Sequence, residues 1–177
     1  MALRQYVMLL ANYNAWMNRK LYAAAGRLGD ETLYAERGAF FGSLFGTLNH
    51  LVVADTIWLQ RFAMHPTRHT SLDTIRTQPR PTALDSRLHD TLPELADHRL
   101  WLDETIQRWA SELTEADLAQ PLEYANMKGV TARRPFDCLV LHFFNHQTHH
   151  RGQATTLLSQ ASEDVGVTDL LALIDDV

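Results

Sequence analysis

Four of the chain's nine histidines fall within nine residues, His142, His146, His149 and His150, in a segment patterned as a helix. Imidazole is a common ligand for transition metals, and residues four apart on a helix stand one above the other on the same face. The pair His146 and His150 therefore has the spacing to grip one ion. Helical geometry sorts the other two. At about 100° per residue, Phe136, Leu139, Val140, Phe143, Ala154, Leu157 and Leu158 define one apolar stripe. His150 falls about 40° from the centre of that stripe and His146 about 80°, at the rim of the core. His142 and His149 lie well over 100° away, towards solvent or a neighbouring surface. His142 and His150 are about 12 Å apart along the axis, too far to share an ion. Two histidines at this spacing also occur as helix-surface or satisfied core residues, so the pair needs a third ligand from elsewhere.

Other chemistry is thinner. His146-Gln147-Thr148-His149-His150 has the outline of the zincin helix, but Gln147 stands where that motif needs a glutamate, and glutamine cannot take a proton. Nucleophile elbow, phosphate loop and dinucleotide fingerprint are missing from the sequence. Cys138 reads as a buried structural thiol. Trp16, Trp58, Trp101 and Trp109 sit on three helical patterns and read as core packing rather than a stacking platform. His50 lies in Leu48-Asn49-His50-Leu51-Val52-Val53-Ala54-Asp55, a stretch apolar on most sides, so periodicity does not say which way it points. Asp55 falls among Leu44, Leu48, Leu51 and Leu59 on the helical wheel. It reads either as a surface carboxylate or as a buried one that needs a partner, such as a ligand histidine's second nitrogen or an arginine.

The elements that must position these residues are helical. The spacing predicts helices over about Leu3–Leu28, Phe40–Met64, Thr82–Leu113 and Pro135–Ala161, with Pro93 marking a kink or a late start in the third. Proline at or near the first position of the last helix costs no hydrogen bond. Pro66 to Pro81, with three prolines, reads as a long loop. Leu122-Glu123-Tyr124 and Gly129-Val130-Thr131 pair as a small hairpin around Asn126 to Lys128, and Thr168–Asp175 suggests one short terminal helix. The expected fold is all-α, a four-helix bundle with a small irregular or hairpin insert before the last long helix. Bundle cores host metal sites between facing helices.

Composition bounds the rest. The 177 residues fit a single domain, 1–177, large enough for a core without disulfides. A formal charge of −5 leaves no basic footprint for nucleic acid. A single cysteine fits a reducing cytoplasm. Asn12, Asn14 and Asn18 break up any signal-peptide core, and apolar runs fall short of the roughly 18 residues of a membrane span. A cytoplasmic protein without a membrane or nucleic-acid partner is expected.

Three stretches resemble the DinB family of DinB/YfiT-like metalloenzymes. They are Asn12-Tyr13-Asn14-Ala15-Trp16-Met17-Asn18-Arg19-Lys20-Leu21, then Leu48 to Asp55 through Trp58 and Arg61, and His142 to Gln153, chiefly Asn145-His146 and His149-His150-Arg151-Gly152-Gln153. With Asp169-Leu170-Leu171 they run in order along essentially the whole chain. The resemblance implies a divalent metal, zinc or nickel, on His50, His146 and His150, with open positions for water or substrate. It places Asp55, His149, Arg151 and His142 around those ligands, with Arg151 set to pair with a substrate carboxylate or with a carboxylate such as Asp55. Relatives of known activity use a low-molecular-weight thiol, which implies a small-molecule substrate and a thiol S-transferase or hydrolase. They often pair as homodimers, and the broadly apolar second helix would suit that role. The competing readings are a non-catalytic stress-related binder of metal or small molecules, and a purely structural bundle with unrelated histidines.

Overall fold

A computed structural model describes residues 2–176, so residues 1 and 177 of the expected domain lie outside the description. Among the described residues the helices are α1 (Leu3–Ala25), α2 (Asp30–Tyr34), α3 (Leu44–Phe62), α4 (Asp73–Arg76), α5 (Leu92–Glu112), α6 (Glu115–Leu118) and α7 (Phe136–Gln160). One antiparallel hairpin, β1 (Pro121–Ala125) with β2 (Thr131–Pro135), stands before α7, paired from Pro121 opposite Pro135 to Ala125 opposite Thr131. Two 3₁₀ turns cover Thr70–Leu72 and Leu170–Leu173, the latter where a short terminal helix was expected. No helix among the described residues is long and apolar enough to cross a membrane.

Three expected boundaries move, two of them through capping chemistry. The third long helix begins at Leu92, ten residues later than the apolar spacing suggests, because Thr91 and Glu94 form a reciprocal capping box and Pro93 sits in the first turn. Leu84 and Leu88 belong to the loop ahead of it. The second long helix starts at Leu44 because the Ser43 hydroxyl accepts the Gly46 N–H at 3.0 Å. The first stops at Ala25, and Asp30–Tyr34 forms its own short helix.

The four long helices share one core. α1 packs on α5 and α7, and α3 packs on the same two. The centre is aromatic: Phe62 stacks on Trp109 at 5.1 Å between ring centroids and meets Phe136 and Phe143 edge-on. Of the 19 residues of α3, 16 are buried within the chain. Its apolar surface is largely consumed within the chain. Cys138 is exposed rather than buried, because it falls on the side of α7 opposite Phe136, Val140 and Phe143. Trp109 is fully buried, and Trp16, Trp58 and Trp101 pack partly buried against the core.

Candidate metal centre

α3 supplies His50 and α7 supplies His146 and His150, and their ligand-capable atoms all lie within 4.8 Å of one another. The wheel order on α7 holds: His150 is 8% exposed, His146 is half-buried, and His142 and His149 face outwards. His50, whose direction periodicity left open, is 2% exposed and turned to α7.

Two hydrogen bonds set the tautomers. His50 Nδ1 donates to the Leu84 carbonyl at 2.8 Å, and His150 Nδ1 donates to Gln153 Oε1 at 2.8 Å. A proton held on Nδ1 leaves Nε2 as a bare lone pair, the arrangement a metal-ligating imidazole needs. His50 Nε2 then stands 3.3 Å from His146 Nε2. The contact is relieved when the neutral His146 ring carries its one proton on Nε2 and donates to His50, or when a shared cation takes both lone pairs. A second proton on these rings is disfavoured. Burial pushes the pKa of His146 down to about 3, with His150 and His50 adding to the effect. Burial likewise brings His50 down to about 4 against the pull of its bond to Leu84, and lowers His150 against its bond to Gln153. At neutral pH the three rings are uncharged donors.

The surround is specific. The Phe41 ring stacks on His50 with centroids 3.7 Å apart and meets His150 edge-on at 5.6 Å. This approach depends on Gly46, where a Cβ would collide with the Phe41 carbonyl oxygen. A cavity of about 330 Å³ shares Phe41 and Leu84 with the ligand supports and is also lined by Asn49 and Asp85. It sits at the small end of ligand-sized pockets.

The residues expected around the ligands divide. His149 stays close, 3.3 Å from the Gln153 amide nitrogen, so one glutamine bridges His149 and His150. His142 leans edge-on against Trp58 at 5.0 Å, with its ring 6.1 Å from that of His146. Asp55 lies elsewhere in the core, where it takes a hydrogen bond from Arg99 Nη1 at 2.6 Å. Arg151 is buried too, donating to Asn14 Oδ1 and to Thr148 over the face of Tyr13. Neither touches a ligand histidine. Sequence reasoning missed Gln153, Phe41, the Leu84 carbonyl and Asp85. Only Gln153 carried a local signal, being three residues from His150 and four from His149 on one helix.

Comparisons with known proteins agree with this frame. The DinB family profile matches residues 1–176. Protein DinB of Bacillus subtilis (strain 168) is 26% identical over 165 residues, which cover 90% of this chain and 88% of that one. The crystal structure of a DinB-like protein from Bacillus cereus ATCC 10987 superposes with a TM-score of 0.58 at 23% identity, covering 85% of this chain and 89% of the other.

Proposed function

The chain belongs to the DinB family, and from that premise we propose that it is a divalent-metal protein whose open three-histidine centre serves a metal-dependent reaction of thiol-transferase or hydrolase type. In this reading the four long helices form the family's four-helix bundle and hold His50, His146 and His150 as ligands. The observation that carries it is the convergence of three desolvated, uncharged imidazoles, two of them with Nδ1–H already engaged. Such a donor set fits a borderline cation, and zinc or nickel is the expected ion. A divalent ion bound there supplies Lewis acidity, lowering the pKa of a bound water or thiol.

The chain's own residues do the rest. Leu84 and Gln153 keep the ligand protons on Nδ1, and Phe41 excludes water from one side of the His50 ring. The 330 Å³ cavity next to Phe41 admits a small thiol or a compact electrophile, with Asp85 as the acid on its wall. A homodimer belongs to the same proposal and is read directly by sedimentation velocity.

A second reading, a metal or small-molecule binder without turnover, is favoured by one observation. Among the described residues no carboxylate is hydrogen-bonded to any of the three ligands, so none is placed as their proton acceptor. Elemental analysis of untagged wild type beside His150→Ala tests the centre, and a thiol-plus-electrophile panel run with metal-loaded protein separates the readings. Near-stoichiometric metal that vanishes in the variant, with metal-dependent thiol consumption, supports the enzyme. Metal without turnover leaves the binder, and no metal in either protein after zinc and nickel incubation overturns both.

A further inference from the structure

A second histidine cluster lies beyond the far end of α3. His65 and His69, in the loop after that helix, and Asp117 of α6 bring one ligand-capable atom each within 4.8 Å of one another. All three are deeply buried, at 4%, 3% and 4% exposure. His50 and Phe62 are already about 18 Å apart along α3, so this cluster is independent of the first centre.

The loop is built to present these rings. Arg76 donates to the carbonyls of Ala63 at 2.8 Å and His69 at 3.3 Å, which ties the two ends of the loop together. His65 packs on Phe136 with centroids 4.6 Å apart. Asp117 Oδ2 accepts the N–H and hydroxyl of Thr114 at 2.9 and 2.7 Å. Its carboxyl is thus held in a fixed, buried position.

Its partners do not complete it. His69 Nε2 stands 3.5 Å from Asp117 Oδ2, and neither ring nitrogen of His69 has a hydrogen-bond partner. A buried imidazole with both nitrogens unmatched, facing a carboxylate and a second imidazole, is a polar cluster without a completed set of hydrogen bonds. We propose that His65, His69 and Asp117 form a second divalent-metal site, structural in role, that pins the loop after α3 to α6. Two imidazoles and a carboxylate are a zinc donor set, and ligand atoms on tetrahedral zinc stand roughly 3.3 Å apart, so the cluster closes by small side-chain movements. Two contacts of His65 must change. His65 Nδ1 now accepts the Thr67 N–H at 3.0 Å, while Nε2 faces the Asp117 carbonyl at 3.3 Å. Zinc on Nε2 moves the ring proton to Nδ1 and releases the Thr67 amide.

The test is zinc stoichiometry of untagged full-length protein after saturation and desalting, read with the Thr67 amide resonance. The expected result is about two equivalents in wild type, about one in His150→Ala, about one in His69→Ala and none in the double variant. Asp117→Asn repeats the His69→Ala result should that variant fold poorly, and in His150→Ala the Thr67 amide shifts as zinc is added. One equivalent in wild type that disappears in His150→Ala overturns the second site while sparing the first. One equivalent that survives in His150→Ala and disappears in His69→Ala does the reverse. A second equivalent that persists in both His69→Ala and Asp117→Asn overturns the assignment to these residues.

Discussion

Two polar regions are buried among the same four helices, and they are built on opposite rules. In the first, Arg99 of α5 reaches Asp55 of α3 at 2.6 Å and Asp103 one turn along at 2.9 Å. Asn14 and Asn18 of α1 donate to Asp103 at 3.0 and 2.9 Å, and Arg151 of α7 closes the set on Asn14. One guanidinium meets both carboxylates, a second joins through Asn14, and all four long helices contribute. In the second region, three imidazoles from two of those helices converge on one another, joined by at most one ring-to-ring hydrogen bond and with no charged group among them. A buried polar group met by its complement holds the scaffold in register, whereas one that meets its own kind waits for a ligand. Arg151, next in sequence to His150, is thereby tied to the first region through Asn14 rather than to the ligand histidines.

The largest effect should come from breaking the complemented region. Arg99→Ala leaves Asp55 and Asp103 buried without their cation, and removal of one partner of a buried pair costs about 3–5 kcal/mol. Urea denaturation should show that loss in metal-free protein. A loss under about 1 kcal/mol would mean that water enters the network, and the distinction between the regions would weaken. Next in size is Gln153→Ala, which frees the His150 Nδ1–H without removing a ligand. Loss of such an outer partner typically costs 10–100-fold in metal affinity. Competition with a chromogenic chelator measures it, and the stability of the metal-free protein should stay near wild type.

How much of this was legible from sequence differs by region for physical reasons. His146 and His150 were readable because one helix fixes both directions, and α7 runs nearly where its pattern predicts. His50 was not readable from periodicity, since α3 is buried on almost every side and each direction looks equally apolar. Asp55's need for a partner was legible, but Arg99 was not, because the pairing joins residues 44 apart through a packing that local pattern does not encode. Cys138 shows a signal that was present and overridden: its wheel position was exposed, and the habit of thiols to be buried took precedence. His65 and His69 lie in an aperiodic loop, where no spacing rule applies.

pH separates the two regions with a smaller effect. His50 and His146 titrate at about 4 and about 3 when folded, against roughly 6.5 for unfolded imidazole. Between pH 6.5 and about 4 the unfolded chain therefore binds protons that the folded protein refuses. The histidine contribution to metal-free stability should fall as pH falls through that window, by at most about 1.4 kcal/mol per pH unit per group and by less at a rim partly open to water. Asp55 of the first region, which burial raises to about 6, contributes with the opposite sign, so the histidine part is read as the difference from a His50→Leu, His146→Leu double variant. Zinc affinity of the folded protein should instead stay nearly flat from pH 7 to about 5, because its ligands carry no proton to displace. Titrations that weaken tenfold per unit below pH 6.5 would show ordinary, solvated imidazoles.

The smallest expected effect is also the sharpest discriminator. His146→Leu removes a desolvated ring that faces other rings and replaces it with an apolar side chain of modest size. Where a buried polar group has a charged complement, such a change leaves an orphaned charge; here it removes at most one neutral ring-to-ring hydrogen bond. Metal-free His146→Leu should match or exceed wild-type stability within about 1 kcal/mol while losing the centre's metal, the trade that sites under functional constraint show. A thermal melt of the two proteins with chelator present decides it. Marked destabilisation would place His146 with the scaffold, as a ring whose proton already satisfies His50, and the centre would then need no cation to complete it.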